Sequence, residues 1–198
     1  QSTFGPTPAL VDHVVQVGKA AFIDEQLALP PTAYPDTLIT MPNMELVSEQ
    51  FFQNAVSGND QLRQRVAYAL SQIVVTSSNK LIYANEIAPW LRLLSENAFG
   101  NYRDLLHDVT ISPSMGKYLD LANNNKPTAG SGANENYARE ILELHTLGVS
   151  GGYAQADVVA RGRRRGWTSL RARTSLRADV VAGERRCSRD VGRRCSRG

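Results

Sequence analysis

A chain of 198 residues, 42% of them hydrophobic, is long enough to hold one ordinary domain with its own core. Its formal net charge of +3 averages two opposed parts: residues 1–160 carry nine basic against sixteen acidic side chains, a net −7, and residues 161–198 carry thirteen against three, a net +10. This asymmetry marks a boundary near Ala160, and because Cys187 and Cys195 both lie beyond it, thiol nucleophiles, thiolate metal sites and disulfides are excluded from the acidic part.

In chain order, Thr7-Pro8 supplies a capping hydroxyl and a first-turn proline, and Leu10, Val14 and Val17 recur at helical spacing as far as Gly18, which predicts a short helix. A second is expected from Ala20 to Leu29, with Phe22, Ile23 and Leu27 inward, stopped by Pro30-Pro31. After a loop to about Asn43, Met44, Val47, Phe51 and Ala55 form a stripe ending at Gly58. Asp60 is then placed to cap a longer helix with Leu62, Val66, Leu70 and Ile73 inward. A helix from about Glu86 to Ala98, with Pro89 in its first turn, presents Trp90, Leu91 and Leu94 before Gly100. Asn101 caps the next, carrying Tyr102, Leu105, Leu106 and Val109. Ser112-Pro113 starts a short one through Met115, Tyr118 and Leu119.

From Asn123 to Ala133 the sequence lacks apolar periodicity and holds two glycines, the pattern of an exposed loop. Asn134 then caps a helix with Tyr137, Ile141 and Leu144 inward and Gly148 at its stop. Few period-two segments occur, so the expected fold is all-α: an irregular multi-helix domain over residues 1–160. No run approaches the roughly 20 apolar residues that span a bilayer, and no charged-then-apolar leader is visible.

Residues 161–198 differ in kind. Thr168-Ser169-Leu170-Arg171-Ala172 is repeated at Thr174–Ala178, and Arg185-Arg186-Cys187-Ser188-Arg189 is echoed at Arg193–Arg197. Such low-complexity sequence offers too little apolar surface to offset ordering entropy, so a disordered or poorly structured tail is expected. Three origins are open: a nucleic-acid-binding arm, a disordered extension, or translation of a shifted reading frame. The last accounts best for arginine and cysteine rising together while lysine vanishes, and a binding arm would ask for stacking groups that only Trp167 offers.

Three blocks carry a family likeness: Thr3-Phe4-Gly5-Pro6-Thr7-Pro8, then Ala98-Phe99-Gly100-Asn101-Tyr102-Arg103-Asp104-Leu105-Leu106, and above all the run from Glu135 through Glu143-Leu144-His145-Thr146-Leu147-Gly148, followed by Gly151-Gly152-Tyr153. In content and order they resemble the N-terminal part of DUF1800 proteins, over residues 2 to about 160. The resemblance implies an exported bacterial protein, secreted or periplasmic, partnered by a co-encoded exported protein, with no established reaction. The chain departs from the family pattern after Asp157. It also has Tyr68–Ile73 where many members carry a Trp-His-x-His-Phe-like segment, which removes those histidines as ligands.

Candidate chemistry concentrates on the helix after Asn134. A rotation of about 100° per residue puts Asn136, Glu140 and Glu143 on one face, with Arg139 beside Glu143. Two carboxylates at i, i+3 suit a divalent cation or a general acid and base, the residues of a metal-dependent hydrolase acting on an ester, lactone or glycan. The plainer reading of Glu135, Arg139 and Glu143 is a set of i, i+4 ion pairs. Asp104, His107 and Asp108 share a second helical face with metal-compatible atoms, against the plainer reading of a solvated outer face. His145 lies about 200° around the helix from Glu143 and cannot share an ion with it. His13 has no partner nearby in sequence and reads as structural. Ser150 sits in a Gly-x-Ser-x-Gly pattern, but after a helix rather than a strand, against a nucleophile role. The leading expectation is a helical protein acting with an envelope partner. The metal-dependent hydrolase and an anion or nucleic-acid binder working through the tail are the alternatives.

Overall fold

The computed structural model describes residues 2–40, 43–122 and 134–160, with Ile39 described by its backbone alone. The loop read at 123–133 and the basic tail from 161 lie outside the described residues. Among the described residues there is no strand. The helices run in the order α1 (Pro8–Val17), α2 (Lys19–Ala28), α3 (Thr37–Thr40), α4 (Met44–Ser57), α5 (Gln61–Ile73), α6 (Ala84–Glu96), α7 (Tyr102–Ile111), α8 (Pro113–Tyr118) and α9 (Asn136–Glu143). Residues 155–160 are helical as well.

The boundaries follow local chemistry. Thr7 Oγ1 accepts from Leu10 N at 3.2 Å and Pro8 opens α1, while Gly18, at φ +86°, turns the chain directly into α2. Leu29 is extended ahead of Pro30, which ends α2 as expected. Asn43 and Asn101 accept from Glu45 N and Arg103 N to cap α4 and α7. Helix α6 starts two residues earlier than the sequence suggests, because Glu86 Oε2 reaches back to Tyr83 N at 3.3 Å. Pro89 therefore lies inside the helix rather than in its first turn, and its missing N–H leaves one intrahelical bond unmade.

Helix α6 is central and packs against α3, α4, α5, α7 and α8. One side presents Ala84 and Ala88, small enough for Tyr34, Leu38 and Val47 to close over them. The other presents Trp90 and Leu94 to Val74, Leu105, Val109, Met115, Leu121, Tyr137 and Ile141. A smaller cluster of Ala138, Leu142 and Val158, with Tyr153 packed against it, seats residues 153–158 on α9. Glu86 also ties α8 to the start of α6: its backbone oxygen accepts from Ser114 Oγ at 2.6 Å and its carboxylate pairs with Lys117 at 2.5 Å.

The inward faces of α2 and α5 depart from the apolar periodicity. Ile23 and Leu27 are exposed, and Gln26 is buried beside Phe22. The Gln26 amide bridges to Asn59 O at 3.1 Å and receives Leu62 N at 3.1 Å, so it caps α5 in place of Asp60. The Asp60 carboxylate turns inward instead, with 1% of the residue exposed. It accepts from Thr32 N at 2.9 Å, from the Thr32 hydroxyl and from Gln64 Nε2 at 3.1 Å, and lies 3.8 Å from Arg63 Nε. Arg63 is also buried. It donates to Leu29 O and Ser95 O, each at 3.1 Å, and stacks on the Phe99 ring at 4.5 Å. Ile73, expected inward, is 47% exposed.

Removing one member of a buried charged pair strands the other without compensation. Asp60→Ala is therefore expected to lower unfolding free energy by about 3–5 kcal/mol, read from urea denaturation. Ile73→Ser should change it by about 0.5 kcal/mol or less, although helical periodicity alone would rank the two the other way round.

Candidate functional site

Helix α9 begins where Asn134 Oδ1 accepts from Asn136 N at 2.8 Å. It ends in a wide turn in which Leu147 N and Gly148 N both donate to Leu142 O, with Gly148 at φ +82°. Tyr137 and Ile141 face the main core and Ala138 and Leu142 the smaller cluster. Leu144, expected inward, lies past the last helical turn and is 60% exposed.

On the polar side, Arg139 sits between two glutamates: Nη1 is 3.4 Å from Glu143 Oε1 and Nη2 is 3.6 Å from Glu135 Oε2. These are the i, i+4 pairs of the plainer reading. They extend into the following segment, because Arg139 Nη2 donates to Gln155 Oε1 at 2.9 Å and Gln155 Nε2 donates to Glu135 Oε2 at 2.7 Å. The Tyr153 phenol is held above its ordinary pKa by desolvation first and then by the nearby Glu143 side chain. Glu140 is placed differently. Burial first, and then the charge of Glu143, holds its carboxyl above the usual carboxylate range against the opposing pull of Arg139. Asn136 is exposed at the start of the helix.

The α7 group lies on an outer face. His107 Nδ1 is 3.3 Å from Asp108 Oδ1, the other Asp108 oxygen receives Asn97 Nδ2 at 3.2 Å, and Asp104 is exposed in the first turn. His13, read as lacking a partner, pairs with Glu25 at 2.7 Å and so joins α1 to α2. Ser150 is exposed in the turn that follows α9. Among the described residues no three His, Cys, Asp or Glu side chains stand together as a set that could hold a metal ion.

Two features escape sequence reasoning. His145 is buried, its Nδ1 has no hydrogen-bond partner, and burial pushes its pKa below the ordinary value. Its backbone oxygen accepts from Tyr102 Oη at 2.7 Å, which joins α7 to the end of α9. The second is a cavity of about 320 Å³ between the 31–36 segment and the C-terminal end of α6, lined in part by Tyr34, Asp36, Arg92, Ser95 and Glu96. No local motif signals it, because its two walls are separated by more than 50 residues.

The arrangement on α9 falls within the block richest in family likeness, and a family model described as a protein of unknown function, DUF1800, matches residues 1–177. The chain belongs to the DUF1800 family. The match continues past the change of charge at Ala160 and takes in Gly166-Trp167-Thr168. No curated protein and no solved structure matches the chain. Membership thus fixes kinship for this DUF1800 protein and leaves its chemistry to be argued from side chains.

The buried imidazole gives a pH signature. A base whose pKa is depressed on folding binds fewer protons folded than unfolded, so stability is full above its ordinary value near 6.5 and falls as pH drops below it. Glu140 has the opposite sign, because its raised carboxyl pKa favours the folded state at low pH and that contribution is lost as pH rises through the raised value. Urea-unfolding free energies measured from pH 4 to 8 should show the decline below about 6.5 flattened in His145→Leu. Glu140→Gln should raise the neutral-pH Tm by no more than about 2 °C.

Proposed function

We propose that this DUF1800 protein is an exported, non-catalytic helical protein of the bacterial envelope that docks a partner protein on the apolar end of α9. The observation that carries this reading is the exposure of Leu144, Leu147 and Val149, at 60%, 54% and 76%. Tyr102 is bonded to the same turn through His145 O. Three large aliphatic side chains within six residues are left to solvent at a helix end, which favours an interaction site there. Burying each against a partner would contribute about 1.5–3 kcal/mol. The polar groups on the neighbouring face are engaged: Glu135, Arg139, Glu143 and Gln155 bond one another, which suits a rigid support better than a reaction centre. The net −7 of residues 1–160 favours a partner whose apolar contact is rimmed by basic residues. Export and a co-encoded exported partner follow from the family resemblance. No described helix is long and apolar enough to cross a membrane.

Glu140 favours a second reading. A carboxyl held above its usual range beside a second carboxylate is the pairing a general acid requires. With Glu143 and Asn136 on the same face, it would serve a metal-dependent hydrolase acting on an ester, lactone or glycan.

Co-expression with the co-encoded exported protein separates the two. Docking predicts a stoichiometric complex that is weakened at least about tenfold by Leu144→Asp or Leu147→Asp and is indifferent to Glu140→Gln. The hydrolase reading predicts stoichiometric metal by elemental analysis after dialysis and loss of hydrolysis in Glu140→Gln. Absence of that metal, together with no thermal shift on adding Ca²⁺, Mg²⁺, Mn²⁺ or Zn²⁺, would remove it.

A further inference from the structure

We propose that residues 2–17 exchange between two copies of this chain, giving a domain-swapped dimer in which Gly18 straightens and joins α1 and α2 into one helix. The exchanged element is lightly held. Helix α1 is rich in Leu and Val yet buries none of its residues, and it packs chiefly on α2. Its ion pair to that helix, His13 with Glu25, joins side chains 43% and 47% exposed, a kind that contributes little. The firm anchor lies at the far end. Phe4 meets Phe51 and Tyr68 with ring centroids 6.2 and 5.9 Å away, has the Arg65 guanidinium 4.8 Å from its own centroid, and donates its N–H to Gln61 Oε1 at 3.3 Å. An anchor joined to its own core through a loosely packed helix seats equally well on a second copy, because the contacts it makes there are the same.

At the hinge, conformation and local chemistry disagree. Gly18 is the sole residue between α1 and α2. It holds φ +86° and ψ 159°, a region open essentially to glycine alone. The helix that starts beyond it has no side-chain cap and no acidic residue in its first turn, and it places Lys19 at its positive end, which are three departures from a favoured helix start. The break also takes the N–H groups of Lys19, Ala20 and Ala21 and the carbonyls of Val15, Gln16 and Val17 out of the helical ladder. Straightening pairs them one to one. Short, strained hinges of this kind favour exchange.

The apolar pattern fits the straight form better than the bent one. At about 100° per residue, a helix continuous through Gly18 brings Val11 and Val15 within about 60° of Phe22 and Gln26, the buried side of α2. In the bent form Val11 and Val15 are 47% and 78% exposed. In the dimer they prolong the line of α2 that packs on α5 and lie between the two copies, so the exchanged form gains an apolar contact that the bent form lacks.

Size-exclusion chromatography with light scattering on the intact chain, from about 10 µM to about 1 mM, tests the exchange, with reductant present to keep Cys187 and Cys195 from cross-linking. Amide hydrogen exchange on the separated species distinguishes a swap from a contact between surfaces. The expected result is a monomer–dimer equilibrium in which the Lys19, Ala20 and Ala21 amides exchange at least about tenfold more slowly in the dimer. Gly18→Ala should raise the dimerisation constant about tenfold or more, because the added Cβ meets nothing within 4 Å and acts through φ alone. Val15→Asp, at a position exposed in the monomer, should keep the fold and lower that constant about tenfold or more. The proposal is overturned by any of three results: no dimer in either the unsubstituted chain or Gly18→Ala, a dimer whose amides at 19–21 exchange as fast as the monomer's, or a dimer that Val15→Asp leaves unchanged.

Discussion

The structure turns on one buried carboxylate. Asp60 gathers Thr32, Gln64 and Arg63 around itself, and Arg63 extends the group to Leu29 O and Ser95 O. Four parts of the chain are thereby fixed to one another: the end of α2, the segment that follows it, the start of α5 and the last turn of α6. Taking an ion pair out of water is offset only where the geometry is good and the remaining donors and acceptors find partners. That requirement is what makes the group a specifier of position. An apolar contact tolerates sliding, whereas this set of bonds is satisfied in one arrangement. Burial also pushes the Tyr34 phenol up to about 12, against the lowering effect of the nearby Asn54 side chain and with the charge of Asp60 adding to the rise. The neutral phenol thus closes the same polar layer without introducing another charge.

The same bonds shape the cavity. Thr32 and Ser95 are both anchored from behind by the Asp60–Arg63 group and both line the space in front of it. Arg92 then ties Tyr34 O and Asp36 back to α6. A feature that serves folding on its inner side therefore presents ordered polar groups on its outer side.

The sequence discloses the parts of this design that are local. Thr7, Asn101 and Gly18 act where their chemistry predicts, because a cap or a positive-φ turn is decided within a few residues. The apolar stripes of α4 and α7 are legible for the same reason. The inward faces of α2 and α5 are not, because Gln26 and Arg63 are buried through partners about 30 residues distant, such as Asn59 O, Leu29 O and Ser95 O. Periodicity scores a polar residue as outward and cannot count such acceptors. Ile23, Leu27 and Ile73 are displaced to the surface by that competition. On α9 the ion pairs were readable from i, i+4 spacing, whereas the role of Gln155 and the burial of His145 depend on how the chain turns after Gly148.

A comparison of magnitudes shows what the polar face of α9 is for. Half-exposed ion pairs such as Arg139 with Glu135 and Glu143 each contribute about 0–1 kcal/mol. Burial of Tyr137, Ile141 and Leu142 contributes about 1.5–3 kcal/mol per side chain. The helix is therefore held by its apolar sides, and the ionic face is not needed to keep it in place. Its bonds run forward, from Arg139 and Glu135 to Gln155, and their geometric effect is to locate the segment after Gly152 against α9. Glu140, one helical turn from Asn136, takes no part in that bracing, and its carboxyl is the one that burial perturbs. A residue that contributes neither to the bracing nor to the core, yet bears the cost of partial burial as a carboxylate, is where a role other than stability has to be sought on this helix.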